Sequence, residues 1–491
     1  MKKLYKLLFI VGVVYLVTLV VIHRGAPILR SGTDSALVRV SNSSDRATTA
    51  DDIAAYKLNW RPKEKVFFKK LKSSEFKAED GFIEDDVSVF RCNGENTGPS
   101  GRNAFEQVAP GLHILSAYFD NRVATKYIRM MGTVRSFKGK VDPNVFKNKT
   151  CMFRVDDSQN STAFVTVKMT FYEMCENHKR VYGGWIMSCV VPSELRDIPM
   201  SLRIFGGQGN ISNLVNSKEI CIKSFRKNVE RRKLDYGICV PPVYGHVRPK
   251  EFIEFIELNR LLGADQFILY LELSEDTVSL DLQRVFRYYS SLNIIHLIMW
   301  QLPVRPEMIW YHGQSVAIND CLYRNMNNFH HIMFVDLDEF IVPQTNMERW
   351  DDVMTHLESK DLQSYRDASG FSFRSTYFAP DFSRRPFSSE MGTVVRTNRT
   401  RYFSYRRNKV IVRPTRIFEM GIHHVSRSWP DDQNYTVLPV PLKVAFIHHY
   451  RTCIREFGIP CNNRILDGTV ADKYGQQTKD NYLKILNDIT Y

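Results

Sequence analysis

The sequence predicts an α/β protein with a mostly parallel sheet, preceded by a smaller β-rich domain and an N-terminal membrane anchor. Three observations carry this. Strand-like and helix-like apolar runs alternate from residue 237 onward, short β-branched and aromatic runs fill 86–232, and residues 7–22 carry no charge. A chain of 491 residues also exceeds one ordinary core, so two or three domains are expected.

The first element is the uncharged run LLFIVGVVYLVTLVVI, behind MKKLYK with its three lysines. Sixteen residues fall short of the ~20 that span an average bilayer and suit a thinner early-secretory membrane. The following HRGAPILR offers no small-x-small cleavage site, which favours an uncleaved anchor over a signal peptide. Lysines ahead of the run keep residues 1–6 cytoplasmic and send the body into the lumen. Residues 23–85, rich in Ser, Thr and Asp and then mixed in charge, read as a stem.

A lumenal body agrees with six Asn-x-Ser/Thr sequons, at Asn42, Asn148, Asn160, Asn210, Asn398 and Asn434. Nine cysteines without a C-x-x-C pair point to disulfides rather than a zinc ribbon. The odd count leaves a free thiol or an intermolecular bond, which permits a homodimer. Cys321, on a buried helix, is the expected leftover, and Cys453 with Cys461 are spaced to close a short loop.

Between 86 and 232, HILSAYFDNR, YIRMMGTVRSF, CMFRV, AFVTVKMTFYEM, GGWIMSCVV and MSLRIFGG are separated by Gly, Pro, Asn and Asp. That spacing predicts an antiparallel β module. It holds five of the nine cysteines, consistent with a stapled structural sheet or an accessory carbohydrate-binding module.

GICVPPVY (237–244) then reads as a buried strand, and Pro249 opens a helix over KEFIEFIELNRLLG, with Gly263 as its C-cap. Glu251, Glu254 and Glu257 step along one face of that helix, opposite an apolar face, so it is expected to be amphipathic. QFILYLEL (strand), DTVSLDLQRVFRYYSS (helix), NIIHLIMWQLP (strand) and HGQSVAINDCLYRNMNNF (helix) follow. This alternation implies a parallel sheet covered on both faces. The domain is expected to span 237–460, with 461–491 as a C-terminal tail.

The formal charge of +14 favours anionic partners, but the basic residues are scattered through KEKVFFKK, RKNVERRK and RYFSYRRNK, which argues against nucleic acid. The chemistry concentrates in HHIMFVDLDEFIVP, where Asp336, Asp338 and Glu339 crowd the end of an apolar strand. Ligands of parallel sheets bind beyond the carboxyl ends of strands. Residues i and i+2 of a strand share a face, so both aspartates can reach one hard cation, Mg²⁺ or Mn²⁺. An EF-hand starting at Asp336 needs Gly and Glu where Ile341 and Met347 stand. An aspartyl-nucleophile phosphatase would continue with Thr or Val rather than Glu339-Phe340, and its motif would open the domain. A D-x-D cation site on a basic lumenal α/β domain suggests a nucleotide-sugar transferase, with the cation bridging the diphosphate. A lumenal carbohydrate-binding protein without turnover is the second reading.

The ordered segments VYGHVRPKEFIEFIELNRLLGADQFILYLEL, FVDLDEFIVP, RNKVIVRP, MGIHHV and FIHHYR resemble glycosyltransferase family 92 over residues 237–460. The resemblance implies a GT-A fold and inverting transfer of galactose from UDP-galactose in β-1,4 linkage to a terminal galactose or fucose of glycoprotein glycans. It also implies Mn²⁺ as cofactor, with Mg²⁺ as a substitute, and a single-pass type II Golgi membrane protein. Asp336 and Asp338 match the D-x-D pair, and His449 is the implied third metal ligand. Lys409, Arg413 and His423 are expected to face the diphosphate or the acceptor, and Lys250 and Glu251 the uridine. Glu339 is the nearest candidate base, with Glu419, Asp431 and Asp432 as rivals. Strict strand alternation would turn Glu339 away from the two aspartates.

Overall fold

Residues 105–490 are described by a computed structural model, apart from 138–139, 142, 148, 157–161, 194, 196–197, 207–218, 224–232, 273–277, 381–390 and 455–457. The expected anchor and stem lie outside the described residues. Among the described residues no helix is long and apolar enough to cross a membrane.

The β-rich stretch contributes β1 (Glu106–Ala109), β2 (Leu112–Asp120), β3 (Tyr127–Phe137), β4 (Lys140–Val141) and β5 (Lys149–Asp156). It continues with β6 (Thr162–Lys168), β7 (Thr170–Glu173), β8 (Tyr182–Val190), β9 (Ser201–Gly206) and β10 (Glu219–Lys223). Eight of them run in the order β6-β5-β9-β10-β2-β3-β8-β7, antiparallel except at β10–β2, with β1 on β2 and β4 on β3. One face buries Leu112, Ile114, Ile128, Met130, Phe153 and Met187. A register shift between Ile114 and Ser116 then redirects β2, so that Ser116 and Tyr118 point the other way.

The second sheet starts with β11 (Leu234–Val243), α1 (Pro249–Leu262), β12 (Gln266–Glu272), α2 (Leu280–Ser291), β13 (Ile295–Trp300), α3 (Gln314–Asn325) and β14 (Phe329–Phe334). Next come β15 (Glu339–Pro343), α4 (Trp350–Lys360), α5 (Leu362–Asp367), β16 (Ala368–Tyr377), α6 (Gly392–Val395), β17 (Asn398–Thr400) and β18 (Ser404–Val412). The ribbon β19 (Ile417–Met420) and β20 (Val425–Ser428), β21 (Thr436–Pro439), β22 (Ala445–His449), β23 (Arg464–Leu466) and α7 (Thr469–Thr490) complete it. The strand order is β13-β12-β11-β14-β18-β16-β22-β15, with β21 on β16.

The expected mostly parallel sheet is therefore mixed. Its first four strands are parallel, whereas β18 runs against both β14 and β16, and β15 against β22. The regular strand–helix alternation stops at β14. β14 and β18, separated by a long excursion, and β15 and β22 meet directly, and antiparallel neighbours need no helical crossover.

One face of this sheet packs on α1, α2, α4 and α7 through Phe252, Ile256, Phe286, Trp350 and Ile485. The other packs on α3, and α3 packs in turn on the β-rich sheet, so Tyr118, Met131 and Ile186 share a hydrophobic cluster with Val316, Leu322 and Phe334. The β-rich region is thus a layer against the second sheet's covering helix.

Helix α1 begins at Pro249 and ends at Gly263, whose φ of 130° suits a residue without Cβ. Two glutamates of its expected charged face, Glu254 and Glu257, are buried instead, while Glu251 stays exposed. Glu254 accepts the N–H groups of Gly392 and Thr393 at the start of α6 (3.2 and 2.6 Å). Glu257 accepts the Tyr289 hydroxyl and the Asn481 amide, both at 2.9 Å. Asn481 lies on α7, so the expected C-terminal tail is mostly helix, with Val470, Tyr474 and Ile485 in the core.

Cys321 is not the leftover thiol: it is bonded to Cys239. α3 lies across β11, and a buried helix cysteine finds its partner on the strand beneath it. Cys453 and Cys461 close the expected short loop, and Cys151 is bonded to Cys189. Cys175 is the free thiol among the described residues.

Candidate active site

The aspartates do not lie on an extended strand. β14 ends at Phe334, and Glu339 N–H donates to the Asp336 carbonyl at 3.1 Å, closing a turn over 336–339 before β15 begins. The turn brings Glu339 back instead of away. Its Oε2 accepts the Asp336 N–H at 3.0 Å and the Lys409 ammonium at 2.9 Å. Asp336 and Asp338 remain 43% and 38% exposed, whereas Glu339 and Lys409 are buried. The turn therefore presents two carboxylates and buries the third.

Lys409 reaches the turn because β18 runs antiparallel to β14, with Ile332 opposite Val412 and Met333 opposite Ile411. Its Nζ lies 3.7 Å from Asp336 Oδ2. Burial works against the ammonium charge, but the carboxylates of Glu339 and Asp336 outweigh it and hold Lys409 above its usual range. The surrounding carboxylates thus keep a fully buried ammonium charged.

His449 ends β22 directly opposite Glu339. Its Nε2 lies 3.5 Å from Asp338 Oδ1 and its Nδ1 3.5 Å from Glu339 Oε1, yet neither buried nitrogen makes a hydrogen bond. The Tyr450 N–H fixes the other side of the turn on the Asp338 carbonyl at 2.8 Å.

The remaining expected residues divide. His423 joins the group: its Nδ1 is 3.2 Å from the Asn408 carbonyl and its Nε2 3.3 Å from Arg407. Burial and the neighbouring charges of Lys409 and Arg407 push its imidazole down to about 3, so it is neutral. Lys250 and Glu251 occupy the first turn of α1, which follows β11 at the same carboxyl edge, and Glu251 pairs with Arg248.

Arg413 does not join. It lies four residues beyond Lys409, roughly 13 Å along an extended strand. There its guanidinium donates to the carbonyls of Tyr365 (2.6 Å) and Ala368 (3.0 Å). It lines a cavity of about 520 Å³ with Tyr236, Phe329, His330 and His331, at the amino end of β11 and β14, the edge opposite the aspartates. Four residues of antiparallel strand carry a side chain from one edge of a sheet to the other, which motif order alone does not reveal.

The rival bases are committed elsewhere. Glu419 accepts the Tyr172 hydroxyl at 2.8 Å and the Cys175 N–H at 2.7 Å, tying the β19–β20 ribbon to the β-rich layer. Asp431 pairs with Arg427 at 2.5 Å, and Asp432 is exposed on the same short turn. Glu339 is buried and already bound to the Lys409 ammonium and the Asp336 N–H.

Sequence reasoning missed Arg407, Arg451 and Tyr377. Both arginine charges act on the buried Tyr377 hydroxyl, whose ring centroid is 5.1 Å from that of His449. Arg407 stands two residues before Lys409, a proximity that was legible. It also missed a cluster beyond β11 and β12. The Tyr244 and His312 rings stack at 3.7 Å, and His312 Nδ1 lies 2.5 Å from Glu272 Oε2. Tyr311, His312 and Gly313 all have positive φ, a conformation no local sequence signal announces.

Among the described residues no group of three or more His, Cys, Asp or Glu side chains is placed so that it could hold a metal ion. In chemical type, the carboxylates of the 336–339 turn and the imidazole of His449 still suit one. Asp338, half-exposed like Asp336 on the same turn, stands 3.5 Å from a buried imidazole whose nitrogens lack hydrogen bonds, and Mg²⁺ or Mn²⁺ commonly takes few protein ligands together with substrate phosphates.

Comparison with known proteins adds a relative 28% identical over 385 residues, the beta-1,4-galactosyltransferase galt-1 of Caenorhabditis elegans, covering 75% of this chain and 81% of that one. Among solved structures, glucosyl-3-phosphoglycerate synthase of Mycobacterium tuberculosis, in complex with Mn²⁺, UDP and glucosyl-3-phosphoglycerate, aligns at 17% identity and a TM-score of 0.17. That alignment spans 29% of this chain and 44% of the synthase, too little to bear on fold or site. The region from β11 to α7 is decisive: residues 235–486, just over half of the sequence, match the model of glycosyltransferase family 92, and the chain belongs to that family of glycosyltransferases.

Proposed function

We propose that the protein is a metal-dependent, inverting galactosyltransferase that moves galactose from UDP-galactose in β-1,4 linkage to a terminal galactose or fucose of glycoprotein glycans. The observation that carries this reading is His449, whose two buried nitrogens make no hydrogen bond beside the half-exposed Asp338 and Asp336. The galactosyltransferase relative supports the donor and the linkage.

Asp336, Asp338 and His449 are the residues that would hold Mn²⁺, with Mg²⁺ as a substitute. An ion held there would supply positive charge to offset that building on the departing nucleoside diphosphate. Glu339 and Lys409 shape the turn: the carboxylate fixes the Asp336 backbone, and the ammonium balances three acids. Arg407 and Lys250 are assigned to the diphosphate, and the α1 amino terminus favours negative charge. Inversion requires the acceptor hydroxyl to attack opposite the leaving group and lose its proton to a base. Glu339 is assigned a supporting role rather than that base. The fold of this region is read as GT-A, with the carboxyl ends of β11 and β14 forming the donor side.

The uncharged segment 7–22 and the sequons support a type II Golgi protein with a lumenal catalytic body. The test is incubation of the full-length protein with UDP-galactose, Mn²⁺ and a panel of glycans. A galactosylated product formed by the wild type, and lost in Asp336→Asn and Asp338→Asn, supports the reading. Glycan binding without product on any acceptor would replace it with a carbohydrate-binding function.

A further inference from the structure

The loop joining β7 to β8 holds Glu176, His178 and Lys179 at φ of 61°, 48° and 57°. Non-glycine residues there cost of order 1–2 kcal/mol each and persist only when surrounding contacts over-determine them. Such contacts exist. The His178 ring lies 3.9 Å from that of Trp310, Arg180 sits over the same indole at 5.3 Å, and the Cys175 N–H is bound by Glu419.

Glu176 reaches out of the β-rich layer. Its Oε2 accepts the Ile422 N–H at 2.6 Å. Ile422 belongs to the turn between β19 and β20, closed by the Gly421 N–H on the His424 carbonyl at 2.9 Å. A Cβ at Gly421 would stand 3.1 Å from that carboxylate oxygen, 2.8 Å from Ser426 Oγ and 2.9 Å from His424 Cε1, so a methyl there would push these side chains aside.

The next residue is His423. A carbonyl only accepts, so the Nδ1 facing Asn408 carries the ring proton. Nε2 then offers its lone pair to the Arg407 guanidinium at 3.3 Å. The neutral state of this buried ring keeps that tautomer in place. Arg407 in turn is two residues from Lys409, and its charge acts on Tyr377 beside His449.

We propose that Glu176 is a positioning residue for the donor side of the active site: it fixes the 421–424 turn, the turn fixes His423, and His423 aims Arg407 at the diphosphate. The β-rich layer is thereby part of the catalytic unit. This rests on the reading of Asp336, Asp338 and His449 as the nucleotide-sugar site.

The test uses the full-length chain with Mn²⁺, measuring UDP binding by calorimetry together with KM for UDP-galactose and for acceptor. Losing one hydrogen bond at the start of the relay weakens UDP binding and raises the donor KM about tenfold in Glu176→Ala, with acceptor KM within about twofold. Glu176→Gln restores both, because the amide oxygen accepts the same N–H. Gly421→Ala, which crowds the carboxylate, reproduces the donor-side defect should Glu176→Ala fail to fold. Hydrogen exchange at the Ile422 amide accelerates in Glu176→Ala. Wild-type UDP affinity in Glu176→Ala or Gly421→Ala overturns the proposal, as does an equal rise in both KM values. A wild-type protein that does not bind UDP with Mn²⁺ defeats the site itself, and is distinguished by needing no variant.

Discussion

His449 Nε2 stands 3.5 Å from Asp338 Oδ1, and neither nitrogen of this buried ring is hydrogen-bonded. A buried polar atom without a partner costs about 1–3 kcal/mol, which a ligand can return. We therefore expect His449→Ala to lose transfer by about 100-fold, as loss of a ligand does to a metal-assisted step. Thermal denaturation with and without Mn²⁺ plus UDP checks it: the wild type gains stability with both, and His449→Ala does not. Equal gains in the two proteins would remove His449 from the metal.

Lys409 and Glu339 make the opposite case, a buried pair already satisfied at 2.9 Å. Removing one member of such a pair costs about 3–5 kcal/mol because the other charge is left alone. Lys409→Met should lose that much in urea unfolding, and Lys409→Met with Glu339→Gln should recover a good part of it without recovering activity. The folded-state pKa of Lys409 is raised, so its stabilisation is complete below the unfolded value of 10.5 and fades only as pH rises through the folded one. The pair should therefore contribute unchanged across neutral pH. Full stability of Lys409→Met would show that Glu339 has another partner.

Much of this was legible in the sequence, and the failures have physical causes. Alternating apolar runs placed β11 to β14 and their helices, because a parallel sheet buries both faces and leaves a strong pattern. The D-x-D pair was legible from its place after the β14 run. Its geometry was not: strand alternation predicted Glu339 pointing away, whereas a four-residue turn reverses it onto Asp336 and Lys409. Arg413 was misplaced because motif order says nothing of which sheet edge an antiparallel strand delivers. Glu254 and Glu257 read as a solvent face because their partners, Thr393 and Asn481, lie more than a hundred residues away.

The Cys239–Cys321 bond closes an interval of 82 residues between β11 and α3. In the chain-entropy description a loop of that size is worth about 4 kcal/mol. Cys239→Ala with Cys321→Ala should lower stability by about that amount and leave the Asp336–Asp338 turn formed, since Glu339, Lys409 and the Tyr450 N–H hold it. Equilibrium unfolding of the double variant, alongside its UDP affinity, checks both halves. An affinity loss with no loss of stability would mean that the bond shapes the site directly.

Asp320, on α3, joins the two sheets. It accepts hydroxyls from Tyr118 at 2.6 Å and Tyr270 at 2.5 Å, with Ser116 a further donor and Arg324 paired at 2.9 Å. Burial opposes its charge, but Arg324, Lys223 and these hydroxyls prevail and bring its carboxyl down to about 2 from 3.8. A depressed folded-state value means stability that is fully present above the unfolded pKa and lost as pH falls through the folded one. The pH-dependent part, on the order of 2 kcal/mol, should disappear between pH 3.8 and about 2. Asp320→Asn keeps the shape and abolishes the titration, so its stability deficit against wild type should be constant above pH 4 and shrink below it. Denaturant unfolding of both proteins from pH 7 to pH 2.5 measures that gap. A deficit that does not narrow in acid would mean that Asp320 supports the interface through shape and hydrogen bonding alone, without its charge.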